Sequence, residues 1–195
     1  MLAEWSAECS ADDPILIVPW HDPSSGLAFV DLRVSPYDLD SIPEADRHPP
    51  LMQALRALNS ARSPVFTAKC DAWPLGPDEL ESLRLNLDLG PNDASAGFSS
   101  YIDLIARDRS LFASFPRQEQ LLRRVTRLAA PLDQPSAALD CVLRPALLEL
   151  EDTRQGYAVS LYVKAHAADT RAAYRNWSAA LHDVVALIRG NDFSR

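Results

Sequence analysis

The spacing of hydrophobic positions changes period several times along the chain, and each change marks an element. Ile15 to Val18 is a short apolar run, and between Leu27 and Val34 the residues Val30, Leu32 and Val34 alternate with Asp31 and Arg33 as in a half-buried strand. The intervening His21-Asp22-Pro23-Ser24-Ser25-Gly26 has turn chemistry, so the two runs are expected to pair as a hairpin. Ser35 to His48 reads as a loop. Pro49-Pro50 opens a helix with Leu51, Leu55 and Leu58 on one stripe. Pro64 to Trp73 follows as a strand, with Phe66, Ala68, Cys70 and Ala72 on one face and Thr67, Lys69 and Asp71 on the other.

The stretch 74–97 carries two patterns. Gly76-Pro77-Asp78-Glu79 is a helix start, whereas Leu83, Leu85, Leu87 and Leu89 alternate as in a strand; a short helix stopped by Gly90-Pro91-Asn92-Asp93 is the favoured reading. Phe98, Ile102 and Ile105 predict a helix over 99–107. Pro116 opens another, with Leu121, Leu122, Val125, Leu128 and Ala129 as its apolar stripe and Arg117, Arg124 and Arg127 opposite. After a linker at 131–136, Leu139, Cys141 and Leu143 begin a second hairpin. Its turn is expected at Glu151 to Gly156, and Tyr157, Val159, Leu161 and Val163 line the return strand. Pro145 within the first of these strands predicts a bulge or an edge position. The last helix, from about Asp169 to Arg189, is capped by Asp169 or Thr170, carries Tyr174, Trp177, Leu181, Val184 and Ile188, and ends at Gly190.

This order predicts an α+β fold: a two-layer sandwich whose mainly antiparallel sheet comes from two units of β-hairpin plus helix, with one further strand and an inserted helical segment. Residues 1–13 are expected to be a flexible acidic leader and 14–195 a single domain. Within it, 14–73 is a first ββαβ unit, 74–136 a helical insert and 137–190 a second ββα unit.

The chain has 195 residues, enough to close a real core, and 47% hydrophobic with 24% charged residues is ordinary for a globular domain. Its charge is less ordinary. The net value is −8, and of the 19 basic residues all but Lys69 and Lys164 are arginine. An acidic chain argues against unspecific binding to nucleic acid or to anionic membrane, and no apolar run approaches the ~18 residues of a bilayer span. The charge is unevenly spread. Residues 1–60 balance at −7, whereas 101–130 balance at +3, with Arg107, Arg109, Arg117, Arg123, Arg124 and Arg127 against Asp103, Asp108 and Glu119. Arg117, Arg123, Arg124 and Arg127 are therefore the candidate residues for an anion or for an acidic protein surface, in this chain or a second copy.

Candidate chemistry is sparse. The six glycines form neither a GxGxxG turn nor a phosphate-binding loop, and GxSxG and HExxH are absent. His21, Asp22 and His166 are the candidates for acid–base work at strand ends, with Lys69 as an anion contact. Cys9, Cys70 and Cys141 are widely spaced and odd in number. They suggest neither a disulfide framework nor a zinc ribbon, and fit a reducing, cytoplasmic setting. Cys70 and Cys141 read as core residues, and His166, His182 and Asp183 lack metal-ligand spacing, so no metal or cofactor is expected. Met1 to Asp13 has no basic residue and lacks the charge pattern of a secretory signal. Two functions are expected on this basis. The first is a non-enzymatic interaction or regulatory protein that self-associates as a homodimer. The second is an enzyme or small-ligand binder with a polar pocket at strand ends that takes an anionic small molecule.

Overall fold

The computed structural model describes residues 1–90 and 94–190. It is an α+β fold: a six-stranded, mostly antiparallel sheet with helices packed on it. The strands are β1 (Leu2–Ala7), β2 (Leu16–Val18), β3 (Val65–Pro74), β4 (Ala96–Ala106), β5 (Ala137–Glu149) and β6 (Thr153–Ala167). Their order is β1-β5-β6-β4-β3, and β2 lies beside β5 on the same edge as β1. Both N-terminal strands run parallel to β5, and all other pairings are antiparallel. The helices are α1 (Pro43–Arg47), α2 (Pro49–Asn59), α3 (Pro77–Asn86), α4 (Arg109–Phe112), α5 (Phe115–Ala129) and α6 (Thr170–Arg189).

The main core lies between one sheet face and α2, α5 and α6. Val159, Leu161, Val163 and Ala165 alternate inward along β6 and meet Leu139, Cys141 and Leu143 of β5 and Phe98, Ile102 and Leu104 of β4. Trp177 of α6 is fully buried there and donates its indole N–H to Ser100 Oγ at 2.9 Å. Asp169 caps α6 by accepting from the Ala172 N–H at 2.8 Å. The opposite sheet face is covered only in part. At one end Val18, Phe66, Ile105, Phe112, Ala146, Leu148 and Ala158 close a second, smaller core. At the other, Trp73 donates to Glu79 of α3 at 3.0 Å.

Several expectations are corrected. Residues 2–7 of the supposed leader form β1, because Ala3 and Trp5 pack on the main core and the terminal amine donates to the Leu132 carbonyl at 2.9 Å. The first hairpin does not form. Leu16–Val18 pairs with β5, and the stretch Leu27 to Val34 keeps only a bridge from Ala28 to His21, so 14–73 is not a ββαβ unit. Residues 99–107 are not helical. They belong to β4, which runs between β6 and β3, so 74–136 is more than a helical insert. The i, i+4, i+7 spacing of Phe98, Ile102 and Ile105 misled because β4 buries both faces, which erases period-two alternation. The loop before Pro49 holds α1 and a short 3₁₀ turn, Asp38–Ser41. Helix α3 forms as favoured, but most of its expected Gly90 to Asp93 terminator lies outside the described residues. The turn of the second hairpin is tighter than expected, with Glu149 paired to Thr153.

A bulge and a proline interrupt the regular ladders near the two borders of the sheet. In β3, Thr67 pairs with Leu104 and Cys70 with Ile102, so Ala68 and Lys69 together oppose Asp103 in a β-bulge. The bulge flips the faces. Phe66 and Ala68 point to the partly covered side, whereas Cys70 and Ala72 pack on the main core, which splits the set expected on one face. Pro145 falls where the neighbour of β5 changes from β1, which ends opposite Leu143, to β2, which begins opposite Ala146. Its missing N–H therefore costs no bond on that edge.

Candidate functional site

At the ends of β3, β4, β5 and β6, on the partly covered face, four arginines surround a cleft of about 200 Å³. Phe66, Ala106, Phe112, Leu148 and Leu150 supply its apolar surface, and Arg33, Arg107, Arg109 and Arg154 its cations. A Cβ at Gly156 would strike the carbonyl and ring of Phe112. Glycine on β6 is what lets α4 close against the strand and bring Arg109 to the rim.

Each guanidinium is held differently. Arg33 is bidentate to Asp31, with Nε to Oδ1 at 2.9 Å and Nη2 to Oδ2 at 2.7 Å, which lays it over the Phe66 ring at 4.6 Å. The same bonds hold the Asp31 carboxyl below its ordinary range. Arg107 leaves β4 and turns back across the end of the sheet. Its Nε donates to the Val65 carbonyl at 3.1 Å and its Nη2 to the Asn59 carbonyl at 3.1 Å. Burial and the neighbouring Arg33 lower its pKa, and it has no carboxylate partner among the described residues. Arg109 begins α4 after the Asp108 cap and lies 3.9 Å from Asp152. Arg154 pairs with Asp152 and, at 3.8 Å, with Glu151, while its Nε is buried without a hydrogen-bond partner.

The electrostatics follow from that set. Four cations face Glu151 and Asp152 at the rim, with Asp31 behind Arg33, so the cleft is positive in a chain whose net charge is −8. Planar guanidinium forks match the oxygens of phosphate and carboxylate groups. No histidine, cysteine, serine or threonine lines the cleft. The arrangement suits the capture of an anion, with Glu151 and Asp152 as the carboxylates in the lining.

The sequence candidates lie elsewhere. His21 is exposed on the turn after β2 and bridges to Ala28. Asp22 accepts from Ser25 Oγ at 2.6 Å and from Ser24 Oγ at 2.7 Å, bonds that hold its carboxyl far below its ordinary range and fix the turn. His166 is buried at the other end of the sheet, paired with Gly97. Trp20, next to His21, is bonded to the Ala68 carbonyl, and Ala68 opposes Asp103. Asp103 and Gly97 are six residues apart on β4, about 20 Å at ~3.3 Å per residue, so the strand position that anchors Trp20 and the one paired with His166 lie well apart. His21 and His166 do not form one site.

Arg117, Arg123, Arg124 and Arg127 ride on the outer side of α5 and line no part of the cleft. Arg117 bonds Ser110 Oγ, and Arg123 pairs with Glu119 at 2.8 Å. The acidic first segment does meet this helix, but through Trp5, whose ring lies 4.8 Å from the Arg123 guanidinium; Glu8 turns away to pair with Arg144 at 2.9 Å. Burial raises the Cys70 and Cys141 thiols to about 12. Among the described residues no group of three or more histidine, cysteine or acidic side chains forms a metal site.

Sequence reading missed Arg33 and Arg154 as site residues and counted Arg107 and Arg109 only as part of a charge balance. Arg33, the Arg107–Arg109 pair and Arg154 are far apart in the chain, and only the fold brings them together. No protein family, curated protein or solved structure matches the chain. Among the described residues no helix is long and apolar enough to cross a membrane.

Proposed function

We propose that the protein binds a small polyanion, a phosphorylated or polycarboxylate ligand, in the arginine cleft, and serves as a binding or regulatory protein with no catalysis of its own. The observation that carries this reading is Arg107, a cation anchored by two main-chain carbonyls over the Phe66 ring without a carboxylate partner among the described residues. A guanidinium used only for stability would be expected to pair with an acid. Calorimetric titration with inorganic pyrophosphate is the test. Loss of one charged hydrogen-bonding group is worth roughly 1.5–3 kcal/mol, so Arg107→Ala is expected to weaken binding about tenfold or more. Arg117→Ala on α5 is expected to leave it unchanged. Pyrophosphate that does not bind, or binds equally to Arg107→Ala, refutes the reading.

Self-association is a second reading, favoured by the centre of the partly covered sheet face. There Tyr101 and Tyr162 meet with ring centroids 5.8 Å apart and tilted by 38°, beside the Lys164–Asp140 and Arg144–Glu8 ion pairs. Light scattering across protein and salt concentrations tests it. A constant monomer mass removes it.

A further inference from the structure

A second hollow lies on the other side of the segment that carries Arg33. Residues 20–44 arch over β3 at its bulge and enclose about 350 Å³, within the ~300–1,000 Å³ of small-molecule sites. Leu27, Phe29, Val30, Leu32 and Leu55 give it apolar walls, and Trp20, Phe29 and Tyr101 present aromatic rings. Trp20 is fixed by its 2.7 Å bond to the Ala68 carbonyl. The polar rim carries Asp22, Glu44 and Asp71 against a single cation, Lys69.

The three carboxylates are not equivalent. Asp22 is tied up by Ser24 and Ser25, and Glu44 lies 3.8 Å from Arg47. Asp71 accepts from the Ala72 N–H at 2.7 Å and has no ion-pair partner among the described residues. Lys69 likewise has no carboxylate partner there, and its ammonium lies 5.3 Å from the centre of the Trp20 ring. The Trp20 face thus already holds an ammonium within the protein, the contact expected of an aromatic surface that attracts cations. The field inside is negative. Tyr101 and Cys70 are both pushed upward, by burial first and then by acids, Asp103 and Asp71 for the tyrosine and Glu44 and Asp71 for the thiol. A ligand anion would meet this field, whereas an ammonium would be drawn into it.

The geometry points to a binding site for a small organic ammonium with an apolar or aromatic body, its cation beside Asp71 and its body between Trp20, Phe29 and Leu32. This site is separate from the arginine cleft and selects the opposite charge. Lys69 occupies part of the same aromatic surface and acts as an internal competitor.

The full-length chain is titrated with 2-phenylethylamine, 2-phenylethanol and phenylacetate, with binding followed by calorimetry and by tryptophan fluorescence. The amine is expected to bind about tenfold or more tightly than the alcohol, and the acid not at all, since only the ammonium gains both the cation–π contact and the facing carboxylate. Asp71→Asn is expected to weaken the amine about tenfold. Lys69→Met is expected to tighten it severalfold, because a competing like charge is removed. Both substitutions lie on an edge strand at side chains without ion pairs, and circular dichroism confirms that each variant folds. The inference is overturned if the amine fails to bind at millimolar concentration or binds no better than the alcohol. Weaker amine binding in Lys69→Met, or binding of phenylacetate that this variant abolishes, overturns it as well.

Discussion

Under α2, α5 and α6 the sheet presents Leu139, Leu161, Val163 and Ile102, and the buried indole N–H of Trp177 is satisfied there by Ser100. The opposite face of the same strands presents Asp103, Ser160, Tyr101, Tyr162, Arg144 and Lys164 and holds the arginine cleft, and the acid-rimmed hollow opens beside it at the β3 edge. The contrast divides the labour of the sheet. One face closes the main core and carries most of the stability, whereas the other tolerates desolvated charge and concave surface that a well-packed core would eliminate.

The largest expected effect lies on the covered face. Trp177→Ala should cost about 3–5 kcal/mol by chemical denaturation, because it opens a large cavity and leaves Ser100 without its donor. The matching change on the other face, Tyr162→Ala, should cost no more than about 1 kcal/mol. Similar losses at the two positions would break the comparison. Asn59→Ala comes next. Asn59 donates to the Leu55 carbonyl at 2.8 Å and to Thr67 Oγ1 at 2.7 Å, and it accepts from the Thr67 N–H at 3.0 Å, joining α2 to β3. Leaving those buried groups unpaired should cost about 1–3 kcal/mol, and a negligible change in the denaturation midpoint would contradict the role.

The smallest effect sharpens the picture of the partly covered face. Asp103 is buried, and burial raises its pKa above the ordinary carboxylate value even though Ser160 donates to it at 2.6 Å and Arg144 and Lys69 pull the other way. Between the ordinary and the raised value the folded chain holds the extra proton, so stability falls as pH rises through that window. Asp103→Asn removes that fall. Its stability relative to the natural chain should therefore increase from acid, where both forms are neutral, towards neutral pH. A difference between the two chains that does not change with pH would show that Asp103 ionises freely.

Much of the fold was legible because its signals are local. Pro49-Pro50 and the leucine stripe set α2, Gly76-Pro77-Asp78-Glu79 set the start of α3, and Asp169 with the Trp177 stripe set α6. What failed depends on contacts distant in sequence. The pairing of β1 and β2 with β5 spans more than a hundred residues, the burial of β4 on both faces hides its period, and the bulge at Ala68–Lys69 leaves no mark in composition. The candidate sites were less legible than the fold. Lys69 and Asp22 were noticed and do line the acid-rimmed hollow, but for an anion, because Glu44 and Asp71 could not be placed beside them. The arginine run on α5 drew attention by its density, whereas the arginines that converge come from three separate stretches of chain, around Arg33, Arg107–Arg109 and Arg154.

The seam at Pro145 also bears on how the protein behaves in company with itself. A single long partner beside the 13 residues of β5 would in turn present a long row of free main-chain donors and acceptors, a template for another chain. Here that border is made of two short pieces, six residues of β1 and three of β2, interrupted where the proline stands. The far border, β3, is bent by its bulge and carries Lys69 there and Pro74 at its end. Neither margin offers a straight, unbroken ladder to a neighbouring molecule, which guards a sheet with two open edges against fibril-like stacking.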